Sequence, residues 1–162
     1  MPVKIKNRHR LKDREVKELS VGLQTQFGDD FLKGTKSVDI GSVEEYTVVL
    51  VDDSIDFMML NNTVVFTIQG LMKHQPKAKC VVIDMGAVGF IIKGADVMAP
   101  GVVDADPAIL QEDFVWICDE KHRKPLATGA ALMTGEEMKT KKPGKAVKTL
   151  QYIGDRFWML TH

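Results

Sequence analysis

The sequence predicts an α+β fold in two parts, a mixed first half and a second half of short strands curled into a closed or partly closed barrel. Three observations predict it. Val16, Leu19, Leu23 and Phe27 fall at i, i+3, i+7 and i+11, the spacing of one helix face. Residues 77–162 hold many short apolar runs and few helical ones, the pattern of a small barrel. Between the halves, residues 75–79 (QPKAK) break the apolar pattern at Pro76, which makes them the linker and puts the boundary after residue 76. A chain of 162 residues with 44% hydrophobic content has room for one domain or two small ones.

The first half reads in order as follows. Val3, Lys4, Ile5 and Lys6 alternate, predicting a short strand with its lysines outward. The helix through Val16 and Phe27 stops at Gly28, with Arg14 and Lys17 among its polar positions. Phe31 and Leu32 form a second apolar turn ending at Gly34. Residues 38–40 are a weak strand. Residues 46–51 (YTVVLV) are a strong one, β-branched and aromatic, closed by Asp52 and Asp53. Residues 55–60 and 63–68 flank Asn61-Asn62. Asparagine tolerates the left-handed conformation that a two-residue hairpin demands, so these runs read as a hairpin. Residues 69–74 follow as a short closing helix.

The second half opens on its most informative stretch, residues 80–103 (CVVIDMGAVGFIIKGADVMAPGVV). Val81, Val82 and Ile83 read as a buried strand, and Asp84 as the cap of a short helix to which Phe90, Ile91 and Ile92 give an apolar side. Gly94 stands where a helix C-cap needs a residue free to take positive φ. Two consequences are expected. Gly94 and Ala95 carry little or no side chain, so the backbone of another molecule can come close. The amides of residues 94–97 lie together and offer donors to an anion, with Lys93 beside them. A plain helix cap and turn remains the alternative for the same residues. Residues 104–113 are then a polar connection, 114–118 a strand, and 119–125 a charged turn. Residues 126–133 form a strand whose Gly129, Ala130 and Ala131 fit close backbone neighbours. Thr134 with Glu137 makes a capping box. Residues 139–148 form a basic loop, and 149–153 pairs with 156–160 across Gly154-Asp155.

The run GADVMAPGVV (residues 94–103), after a strand and a glycine-containing short helix, resembles the signature of the PUA domain. That domain is a small RNA-binding pseudo-barrel found in pseudouridine synthases and archaeosine transglycosylases. The tail YIGDRFW (residues 152–158) resembles its closing hairpin, and the preceding section resembles a pre-PUA domain. As a whole the chain resembles an archaeal relative of the eukaryotic MCT-type translation factors, which pair with density-regulated protein on the small ribosomal subunit. The resemblance implies a pre-PUA α/β sandwich-like domain over residues 1–76 and a PUA β pseudo-barrel over 77–162. It implies binding of RNA in translation, either tRNA or the rRNA of the small ribosomal subunit, with a protein partner for the first domain. By position it assigns RNA contact to Lys93, Gly94, Ala95, Asp96, Val97, Met98, Ala99, Pro100 and Gly101.

Further cations are available to phosphate. They are Lys139, Lys141, Lys142, Lys145 and Lys148 of the basic loop, Arg156 beside the expected hairpin, and the basic start from Lys4 to Arg14. For each lysine run a solvated face is the simpler alternative. Net charge does not advertise nucleic acid, since 22 Lys plus Arg meet 22 Asp plus Glu. The charge is patchy. Residues 1–14 hold six basic groups against one acidic, residues 15–76 four against ten, and residues 77–162 twelve against eleven.

Catalysis finds no support in the residues. The four histidines are scattered, no serine sits in a GxSxG elbow, and no zinc spacing or Walker loop appears. Asp52-Asp53 and Asp104/Asp106 are paired carboxylates. A calcium loop from Asp104 fails, with Ile109 at its sixth position and Val115 at its twelfth. No catalytic residue, metal or cofactor is therefore expected. With no room for the catalytic domain that accompanies PUA domains in modifying enzymes, the expectation is a protein that binds and positions RNA without altering it. Two alternatives stand beside it: the RNA-binding subunit of a split RNA-modifying enzyme of archaeosine or pseudouridine type, and a protein-interaction module with weak RNA affinity. Cys80 and Cys118 lie beside apolar strand residues and read as buried thiols in a reducing compartment. The N-terminus lacks the apolar run of a signal peptide, and no stretch is long enough to span a bilayer, so the expected setting is the cytoplasm.

Overall fold

The computed structural model describes residues 3–140 and 142–162. The chain divides into two compact units, Met1–Pro76 with Met159–His162, and Lys77–Trp158. Among the described residues no helix is long and apolar enough to cross a membrane.

In the first unit, β1 (Lys6–Arg10), β2 (Val38–Val43), β3 (Tyr46–Val51), β4 (Ser54–Leu60) and β5 (Thr63–Phe66) form an antiparallel sheet in chain order. A helix, α1 (Asp13–Phe27), lies between β1 and β2 in sequence, and α2 (Ile68–His74) follows β5. The expected α1 is present, with Leu23 and Phe27 buried. Asn61 and Asn62 both take positive φ, as the predicted hairpin requires. Asp52 and Asp53 do the same, so that pair turns β3 into β4 as well as closing a strand. The first strand is a correction. It runs from Lys6 to Arg10 and not over residues 3–6. The reason is electrostatic: Arg8 and Arg10 sit two residues apart on one strand, and both donate Nε–H to the buried Asp39 carboxylate, at 2.8 and 2.5 Å.

The core of this unit is aromatic. Phe27 meets Phe66 edge-on at 4.9 Å between ring centroids, and His74 stacks on Phe57 at 5.4 Å. Against it lies a fully buried carboxylate, Asp56, which accepts from Lys73 Nζ, His74 Nε2 and the Ser54 hydroxyl.

The second unit contains β6 (Cys80–Ile83), α3 (Met85–Ile91), β7 (Val97–Met98), β8 (Val102–Ala105), β9 (Phe114–Asp119), β10 (Pro125–Ala131), α4 (Gly135–Lys139) and β11 (Lys145–Tyr152). The helix α5 (Arg156–Thr161) follows. The strands order as β7-β11-β10-β9-β6-β8, with β6 and β9 parallel and every other pair antiparallel. The two end strands, β7 and β8, are joined by only the 3-10 turn Ala99–Gly101. A sheet whose first and last strands are tied so closely has to curl, and the result is nearly a barrel around Val81, Ile83, Val115, Ile117, Ala127 and Val147. Gly129 shows how tight the curl is. A Cβ there would come within 2.5 Å of the Lys148 carbonyl oxygen. The fold is α+β, as expected.

Three expectations for this half are corrected. Asp104 and Ala105 belong to β8 and not to a connection, because β6 offers an edge that Val81 and Val82 pair with them. The basic loop is shorter than residues 139–148: Lys139 ends α4, and Lys145 and Lys148 lie on β11. The closing hairpin does not form. Residues 156–161 are helical, since Asp155 accepts the Trp158 amide on Oδ1 at 2.8 Å and the Tyr152 amide on Oδ2 at 3.0 Å. One carboxylate thus caps the helix and ties the preceding turn.

Candidate nucleic-acid interface

The site is built from the ends of α3 and β7. Asp84 caps α3, its Oδ1 accepting the Ala87 amide at 2.8 Å as the sequence suggested. At the other end the Gly94 amide donates to the Ile91 carbonyl at 2.9 Å and the Ala95 amide to the Phe90 carbonyl at 3.1 Å. These two bonds, with Gly94 at φ +94°, make a Schellman cap. The chain then enters β7, whose Val97 is buried opposite Val147 and whose Met98 is exposed opposite Lys145.

The loop between them is strapped down. Asp96 Oδ1 accepts the Thr149 amide and Oδ2 accepts Lys145 Nζ, both at 3.0 Å, while the Thr149 hydroxyl donates to the Ala95 carbonyl at 2.8 Å. The Lys145 ammonium, then the Thr149 amide, hold the Asp96 carboxyl below the usual carboxylate range, against a smaller opposing effect of burial. Further on, the Ala99 amide donates to Gly144 and the Asp84 amide to Gly101, each at 2.9 Å. Every segment from residue 94 to 101 therefore has a fixed anchor, and the surface it presents is preorganised.

That surface is a groove of about 440 Å³. Its walls are mostly apolar, with Phe90, Ile91 and Met98 prominent, and its polar members are Asp96 and Lys145. Phe90 is 68% exposed, a large aromatic ring left in solvent beside an open groove.

The residues expected at the site have the following places in the structure. The amides of Gly94 and Ala95 are not donors for an anion, because the helix cap consumes both. Nor is Gly94 bare for a ligand: a Cβ on it would lie 2.9 Å from the Tyr152 ring, which already occupies that space. The open surface here is supplied by side chains and not by main chain. Ala95, Asp96, Val97, Met98 and Gly101 line the groove. Lys93 and Pro100 are exposed, and Ala99 is buried. Lys142 is exposed in the loop before β11, and Arg156 is exposed at the start of α5, outside the groove lining. Lys141 lies outside the described residues.

The exposed Phe90 ring beside Lys145 is not among the residues the sequence singles out. Phe90, Ile91 and Ile92 read together as the apolar side of α3, yet only Ile91 of the three is buried. Successive helical residues point about 100° apart. Three adjacent apolar residues therefore cannot share one face, and that signal was available in the sequence.

Elsewhere the carboxylate pairs are structural. Asp52 accepts the Lys36 and Ser37 amides, and Asp106 those of Lys79 and Ala108. Among the described residues no three His, Cys, Asp or Glu side chains gather as metal ligands would.

The PUA domain profile matches residues 79–153. An uncharacterized protein of Methanocaldococcus jannaschii is 40% identical over 158 residues, covering 96% of this chain and 98% of its own. Translation machinery-associated protein 20 of Eremothecium gossypii is 26% identical over 132 residues, covering 78% of this chain and 73% of its own. The crystal structure of a hypothetical protein from Pyrococcus horikoshii superposes with a TM-score of 0.87 at 36% identity, covering 96% of this chain and 99% of that one.

Proposed function

This chain belongs to the PUA-domain proteins, and from that premise we propose that it is a non-catalytic RNA-binding protein of translation that holds an unpaired RNA end in the groove beside Gly94. The observation that carries the proposal is the groove, an open and mostly apolar slot with Phe90 and Met98 exposed along it. An unstacked base needs a flat apolar platform for its face and a nearby cation for its phosphate. Phe90 provides the first. Lys145 in the groove lining and the exposed Lys93, next to Gly94 in the chain, provide the second. The ligand is tRNA or rRNA, and the setting is the small ribosomal subunit. Membership alone is common to translation-associated proteins and RNA-modifying enzymes, and the match to a translation machinery-associated protein over most of both chains favours translation. The acidic middle of the first unit, with four basic groups against ten acidic over residues 15–76, suits a basic protein partner better than RNA.

The test is binding of tRNA by fluorescence polarisation, with Phe90→Ala and Lys93→Glu. Both side chains are exposed, so both variants keep the core intact. Loss of one stacked base is worth about 1–3 kcal/mol, so Phe90→Ala should weaken binding by roughly 5- to 150-fold. Affinity unchanged in the folded double variant refutes the placement. Recovery from lysate of a modification enzyme in place of nuclease-sensitive ribosomal subunits refutes the setting.

A further inference from the structure

Away from the groove, the two cysteines meet. Cys80 on β6 and Cys118 on β9 lie on adjacent parallel strands, diagonal to each other across the register, and their sulfurs are 3.2 Å apart. Both are free thiols. Cys118 is 1% exposed, while Cys80 opens into a second groove of about 680 Å³. Its cations are Lys77, Arg123 and Lys139. Lys139 stands 3.9 Å from Asp104, which lines the same groove. Neither Cys80 nor Cys118 belongs to the packed centre of the barrel. A partly accessible thiol in a cation-lined groove, with a second thiol in contact, is the arrangement that makes cysteine pairs reactive to oxidants.

We propose that Cys80 and Cys118 form a dithiol oxidation site that takes hydrogen peroxide and closes to an intramolecular disulfide. The hydrogen bond from Cys80 holds the Cys118 thiol below its usual range, against burial and with help from Arg123. The same contact, with burial, pushes Cys80 up. The thiolate of the pair therefore sits mainly on Cys118, and the one proton that remains is shared across 3.2 Å. When it rests on Cys118, the thiolate is on Cys80, where the groove admits the oxidant. The Cys80 sulfur attacks one peroxide oxygen and the O–O bond breaks. The leaving hydroxide takes up a proton as water, and Cys80 becomes a sulfenic acid. The Cys118 sulfur then attacks the Cys80 sulfur, the S–OH bond breaks, and hydroxide leaves with the Cys118 proton as a second water. Two thiols are oxidised to a disulfide and the peroxide is reduced to two waters.

The experiment treats the native full-length chain with hydrogen peroxide, blocks remaining thiols with maleimide, and maps peptides without reductant. The expected product has lost two hydrogens, carries no maleimide, yields a peptide joining Cys80 to Cys118, and is restored by dithiothreitol. Mapping separates it from oxidation of the nine methionines. In Cys118→Ser the disulfide is lost, and dimedone traps Cys80 as the sulfenic acid. Should that variant not fold, Cys118→Ala serves the same purpose, and the wild-type map stands by itself. Dimers linked through Cys80 overturn the proposal. So does further oxidation of Cys80 with Cys118 left free, or survival of both thiols at peroxide levels that oxidise methionine.

Discussion

Gly94 illustrates how a single residue is constrained from two sides. Its φ of +94° asks for glycine, and the Tyr152 ring 2.9 Å from where a Cβ would stand asks for it again. Gly94→Ala should therefore destabilise the second unit by about 1–2 kcal/mol from backbone conformation alone, before Tyr152 has moved. A urea titration reads this directly, and an unchanged midpoint would contradict the cap. The position was readable because a short helix followed by Lys-Gly announces its own ending. What the glycine makes room for was not readable, since Tyr152 lies 58 residues away in sequence and nothing local points to it. The same limit hid the cysteine pair, because the parallel partnership of β6 with β9 is a tertiary fact.

Elements whose signals are local came out of the sequence well. The helix α1 followed from spacing, the turn at Asn61-Asn62 from left-handed tolerance, and α4 from its Thr134/Glu137 box. The helix α5 did not, because Arg156 to Leu160 is as apolar as a strand and its cap, Asp155, was read as half of a turn. The attachment of α2 to β4 depends on a charge no pattern reveals. Burial works against the Asp56 carboxylate, but hydrogen bonds from His74, Lys73 and Ser54 outweigh it and leave its pKa below the ordinary value. A carboxylate depressed on folding contributes stability that is fully present above its unfolded value, about 3.9, and is lost as pH falls through the lower folded value. Asp56→Asn should thus be less stable than wild type at pH 7, with a flatter stability curve below about pH 4. Thermal melts across that range check both halves, and parallel acid curves for the two proteins would contradict the role given to Asp56.

For the molecule as a whole, balanced charge limits how RNA can be held. With 22 cationic and 22 anionic groups there is no long-range field to draw in a polyanion, so recognition depends on local contact. The signature run was legible as a family resemblance, and the matched profile covers it. The walls of the groove were not legible, because they bring Phe90 of α3 beside Lys145 of a strand 55 residues further along. If Lys93 and Lys145 are the phosphate contacts, log affinity for single-stranded RNA should fall with log salt at a slope between about −0.7 and −1.4. A slope several times steeper would move the main contact to another surface, such as the basic strand β1.

The most direct measurement compares two RNA hairpins, one with a single-stranded 3′ end and one blunt, titrated against wild type and Phe90→Ala. The protein should prefer the overhanging end, and Phe90→Ala should erase that preference while remaining folded. Equal affinity for the two RNAs, or a preference that survives the loss of Phe90, would contradict binding of an RNA end in this groove.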